Sequence, residues 1–115
     1  MNLTATVRLV DREGKIDAPK RVPVVDLSGS GLAFVWPKAV PVDSEAALEI
    51  NDLPGIGTLE LMTQVMRSTR IEREDKAAIY HIGVQFESIS RSMRDKIIRY
   101  LFQVQRAQVE RVRND

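Results

Sequence analysis

The chain has 115 residues, 43% of them hydrophobic and 29% charged, the make-up of one globular domain with a modest core. Its formal net charge of +1 leaves no whole-molecule field to recruit nucleic acid or a membrane surface, no apolar run approaches the roughly 18 residues of a membrane span, and no signal-peptide pattern opens the chain, so the expected location is the cytoplasm. The absence of cysteine excludes disulfides, thiolate metal sites and cysteine nucleophiles, and a lone histidine, His81, argues against a histidine-based metal centre or a Ser-His-Asp triad; a cofactor-free protein without catalytic activity is expected.

Most of the chain alternates with period two. Leu3, Ala5, Val7 and Leu9 fall on one face of a first strand, with Thr4, Thr6 and Arg8 on the other. A turn over Asp11 to Gly14 and a break at Ala18-Pro19 precede a short β-branched strand, Arg21 to Leu27, in which Pro23 hints at an edge or a bulge. Ser28 to Gly31 reads as a turn and Leu32 to Trp36 as a strand. Pro37 and Pro41 bracket a loop. Leu48 and Ile50 alternate with Glu49 and Asn51, and Asp52 to Gly55 is a turn signature. Thr58 to Arg70 is a long strand, Glu72 to Lys76 a charged hairpin loop, and Tyr80, Ile82, Val84 and Phe86 alternate with His81, Gly83, Gln85 and Glu87. About six strands at this spacing indicate an all-β barrel or sandwich.

After Glu87 the period changes. Met93, Ile97, Leu101 and Val104, widened by Ile98 and Phe102, form the apolar stripe of a helix from about Ser90 to Arg113. Ser90 and Ser92, the latter with Asp95 in a capping box, are equal candidates for its N-cap. The expected organisation is a single domain over 1–115, a barrel over about 1–88 and a helix over about 90–113. Arg91, Arg94, Lys96, Arg99, Arg106, Arg111 and Arg113 outnumber Asp95 and Glu110 on that helix. They read as a solvated outer face, with an acidic partner, a membrane surface or nucleic acid as the alternatives. The last turns, carrying Val109 and Val112, leave the barrel and offer a surface for a second copy.

The segment Asp26-x-Ser28-x-x-Gly31 joins two apolar strands. A carboxylate beside a tight polar turn can accept two hydrogen bonds from a planar donor edge, such as N1–H and N2–H2 of guanine. Ser28 adds a rotatable hydroxyl, and Gly29 and Gly31 permit positive φ and a close approach to the backbone. Hairpin turns are rich in these same residues, so on residue chemistry alone an ordinary turn is the stronger reading. Gly29-Ser30-Gly31 lacks the spacing of a nucleophile elbow, and Phe34 stands where a dinucleotide fingerprint needs its third glycine. His81 lies on the polar face of its strand, Trp36 reads as a core or rim residue, and Arg67, Arg70 and Arg73 with Glu72, Glu74 and Asp75 read as a charged, solvated hairpin end.

The run Asp26-Leu27-Ser28-Gly29-Ser30-Gly31-Leu32 resembles the D/N-x-S-x-x-G signature of PilZ domains, and the resemblance extends to the strand Tyr80 to Phe86 and to a closing helix similar to that of the flagellar-brake subgroup. The resemblance implies a mainly β fold, a six-stranded antiparallel barrel with a C-terminal α-helix. It also implies a receptor that binds cyclic di-GMP through Asp26, Ser28 and Gly31, with Gly29 and Ser30 as further contacts, and that couples the messenger to motility or exopolysaccharide machinery. The family's second motif, R-x-x-x-R, is matched in letters by Arg8 and Arg12, but inside the first strand and too near Asp26, so weakened nucleotide binding is expected. The alternative is a PilZ-like adaptor that binds protein only. Nucleic-acid binding ranks lower, because the strands carry no basic stripe interleaved with aromatics.

Overall fold

The computed structural model describes the backbone of residues 3–113 and the side chains of residues 3–104. The strands are β1 (Leu3–Val10), β2 (Lys20–Leu27), β3 (Gly31–Trp36), β4 (Glu45–Leu53), β5 (Gly57–Arg73) and β6 (Lys76–Phe86), followed by helix α1 (Arg91–Arg113). They close into an antiparallel barrel in the order β1-β2-β3-β6-β5-β4, with β4 returning to β1. Of the two all-β expectations, the barrel is the one formed. The expected charged loop at Glu72 to Lys76 contracts to a tight hairpin, because Arg73 pairs with Lys76 and Asp75 adopts a φ of 58°, a conformation aspartate tolerates.

Inward-facing residues fill the barrel in cross-strand rungs. One runs Leu27–Leu32–Val84–Val65 across β2, β3, β6 and β5, and all four side chains are buried. Phe34 and Trp36 meet edge to face, with centroids 5.7 Å apart, and Trp36 is buried in the core as expected. Thr63, also buried, donates its hydroxyl to the Ala46 carbonyl at 2.8 Å, which removes the cost of a polar group in the core.

Strict alternation breaks at named places. The β2–β3 register shifts between Val24 and Asp26, and the β5–β6 register shifts between Val65 and Arg67. Each shift leaves one extra residue, Val25 or Met66, exposed beside an outward neighbour.

Helix α1 is capped by Ser90, whose hydroxyl accepts the Met93 amide at 3.0 Å, so Ser90 rather than Ser92 is its N-cap. Ile97 and Tyr100 are buried in the core, while Met93, Leu101 and Val104 pack partly against it. The expected pairing surface beyond Gln105 lies outside the residues whose side chains are described.

Ile97→Ala should lower the free energy of unfolding by about 2–4 kcal/mol in a denaturant titration, because it deletes a fully buried side chain. Phe102→Ala, at a position 64% exposed, should change it by no more than about 0.5 kcal/mol.

Candidate functional site

The turn between β2 and β3 is stapled by Ser28. Its amide donates to the Gly31 carbonyl at 2.9 Å. Its hydroxyl accepts the Gly31 amide at 3.2 Å and lies 3.2 Å from the Gly31 carbonyl and 3.4 Å from the Ser30 amide. Ser28 therefore builds the turn as well as facing solvent. The Ser30 carbonyl accepts the Phe86 amide at 2.9 Å and ties the turn to the end of β6.

Neither Gly29 nor Gly31 has a positive φ; the glycines that do are Gly14, Gly55 and Gly57. The expectation of positive φ in the turn gives way to close approach. A Cβ at Gly31 would sit 2.2 Å from the Val84 carbonyl oxygen, so any side chain there pushes β3 away from β6. A Cβ at Gly29 would meet Arg94 Cγ at 3.1 Å and Ile98 Cγ1 at 3.2 Å. Gly29 thus faces α1, while Ser28, Ser30 and Gly31 line an open cleft of about 310 Å³ with Asp26, Arg67 and Gln85.

The cleft follows one outward rung of the barrel wall. Asp26 pairs with Ala33, Ala33 with Gly83, and Gly83 with Arg67. Three strand spacings separate the two charged ends, roughly 14 Å between backbones. The floor between them is made of the two smallest side-chain types. The Asp26 carboxylate is exposed and has no hydrogen-bond or ion-pair partner among the described residues. Gln85, paired with Gly31 and Gln64, forms the next outward rung toward the turn; His81, with Val35 and Thr69, forms the rung on the other side.

Arg8 and Arg12 are not brought to this cleft. Arg8 lies outward on β1 opposite Ala47 of β4, beside Glu49 and Met62 on the far wall of the barrel. Arg12 lies in the loop after β1 and donates to the Val42 carbonyl at 3.3 Å. Sequence reasoning missed Arg67, grouping it with the hairpin end. Extrapolating alternation from Leu59, Leu61, Thr63 and Val65 turns residue 67 inward, and only the bulge at Met66 turns it out. Among the described residues no group of three or more His, Asp or Glu side chains is arranged to hold a metal ion.

Gly31→Ala should destabilise the fold by about 1–3 kcal/mol, the cost of overpacking against a backbone oxygen that cannot move alone. Ser28→Ala, which removes the turn's internal acceptor, should cost about 1 kcal/mol. Thermal melting of both variants checks the order.

Comparison with known proteins identifies the fold and the family. The PilZ domain model matches residues 1–103. The flagellar brake protein YcgR of Azoarcus sp. (strain BH72) is 31% identical over 93 residues, which cover 78% of this chain but 36% of that protein, so the chain spans about a third of the curated relative's length. Among solved structures, the PilZ domain with c-di-GMP of YcgR from Escherichia coli superposes with a TM-score of 0.71 at 15% identity, covering 99% of this chain and 89% of that one. K. pneumonia MrkH in its apo state superposes with a TM-score of 0.67 at 16% identity, covering 92% and 49%. A six-stranded closed barrel with its D-x-S-x-x-G turn under a closing helix, matched by the family model over nearly its whole length, makes this chain a member of the PilZ domain family.

Proposed function

We propose that this chain is a non-enzymatic cytoplasmic receptor module for cyclic di-GMP that couples the messenger to motility or exopolysaccharide machinery. The observation that carries the reading is the exposed, unpartnered Asp26 carboxylate beside the Ser28–Gly31 turn, in one open cleft. A carboxylate is acceptor-only and matches the paired N1–H and N2–H2 donors of a guanine edge. The missing Cβ at Gly31 lets this turn close against the backbone of β6. Support also comes from the family: one solved relative is described as a PilZ domain with c-di-GMP. With Arg8 and Arg12 away from the cleft, binding by this chain is weaker than that of a domain whose R-x-x-x-R arginines reach the ligand, because a phosphate-rich ligand loses charge-assisted bonds.

Isothermal titration of the chain with cyclic di-GMP tests this. Saturable binding is expected, and Asp26→Ala should weaken it at least about tenfold, the loss of a charge-assisted acceptor pair. Binding should also raise the melting temperature, since a ligand specific for the folded state stabilises it. Absence of both heat and thermal shift would refute the receptor reading. It would favour a protein-binding adaptor, for which the observation is the exposed apolar pair Ile98 and Phe102 on α1.

A further inference from the structure

Three arginines lie along the second half of β5, and their surroundings differ. Arg70 is paired with Glu72, and Arg73 donates from Nε to the Ala77 carbonyl at 3.0 Å, so both are engaged within the hairpin. Arg67 is exposed, donates no hydrogen bond and joins no ion pair among the described residues. It nevertheless has a built seat. A Cβ placed on Gly83 would lie 2.7 Å from Arg67 Nε, 2.8 Å from Cγ and 3.3 Å from Cδ. The side chain therefore lies over Gly83 of β6, and any side chain at residue 83 would displace it. Gly83 faces outward on its strand yet is buried beneath this side chain. Arg67 and Asp26 line the same cleft, at opposite ends of the rung through Gly83 and Ala33.

We infer that Arg67 is a specificity-determining ligand residue: it grips the O6 and N7 acceptors of the same guanine whose donor edge Asp26 holds. The inference rests on the receptor reading above and goes beyond the turn motif. From Gly83, over which the Arg67 side chain lies, about two strand spacings, or roughly 10 Å, remain to the β2 backbone. That gap takes one purine with a hydrogen bond of about 2.9 Å on each edge. The pairing is chemically matched. A guanidinium fork bonds O6 and N7 of guanine bidentately, whereas adenine presents a donor amine in place of O6. An anion at one end of the rung and a cation at the other thus select guanine over adenine.

The test titrates the wild-type chain, Arg67→Ala, Arg67→Lys and Asp26→Ala with cyclic di-GMP and with its 7-deaza-guanine analogue, in which N7 is replaced by C–H. Wild type should bind cyclic di-GMP about tenfold or more tightly than the analogue. Arg67→Ala should bind cyclic di-GMP at least about tenfold more weakly than wild type and should no longer distinguish the two ligands. Arg67→Lys, a point charge without the fork, should recover only part of the preference. Unchanged melting temperatures in the free proteins establish that the exposed position is not structural. If Asp26→Ala loses binding while Arg67→Ala binds as wild type does, or keeps the full preference against the analogue, this inference is overturned and the receptor reading stands. If the wild-type chain binds neither ligand, the receptor reading fails and takes this inference with it.

Discussion

Side chains on a strand alternate between two faces, so within regular pairing every second residue must face the core. The cleft depends on two departures from that rule. Val25 and Met66 are each inserted without a cross-strand partner, and each resets the parity of its strand by one. Asp26 and Arg67 are thereby turned to the outside on strands that flank the same pair, β3 and β6. Were alternation to run on regularly through Val25 or Met66, a charge would point into an apolar barrel, where an unpaired ion is far costlier than the strand pairing gained. The bulges thus fix both the fold's register and the electrostatics of its outer wall.

Between those charges the wall is held low by close contacts rather than by unusual dihedrals. Gly31 lies against the Val84 carbonyl, and Gly83 lies under Arg67. The turn that follows Asp26 is rigid for local reasons, since the Ser28 hydroxyl and the Ser30 carbonyl spend their hydrogen bonds on neighbouring backbone. Such rigidity would serve the proposed receptor role. A site prepared before its ligand arrives loses less conformational entropy on binding. The same turn touches α1 through Gly29, a residue without a side chain, so the turn that borders the cleft is in direct contact with the helix that seals the core.

How much of this could be read from the amino acids follows from which physics is local. The strands and the helix were legible, because period-two and period-3.6 patterns are written in consecutive residues. The turn was legible as a turn and, with the family resemblance, as the candidate site at Asp26, Ser28 and Gly31. The reason for Gly31 was not, since the oxygen it avoids belongs to Val84, more than fifty residues away. Arg67 was hidden for a related reason. Its letters match its charged neighbours Arg70 and Arg73, and a bulge leaves no signature in a single strand's composition. Arg8 and Arg12 show the converse: their spacing fits the letters of a motif, but a strand and a loop carry them to other surfaces.

Closure of the barrel also bears on how other molecules can engage it. A sheet with a free edge can recruit a partner by adding a strand, with the backbone supplying the affinity. Here β1 to β6 pair around the whole circumference, so that route is shut along the barrel. The β4-facing edge of β5 past Gln64, and the ribbon of β5 and β6 past Arg70 and Tyr80, run beyond their neighbours, and Arg67, Arg70, Glu72, Arg73, Glu74 and Lys76 make them a poor template for a further strand. Whatever binds this barrel must therefore read its side chains, and that confines recognition to the outward rungs and the exposed flank of the helix.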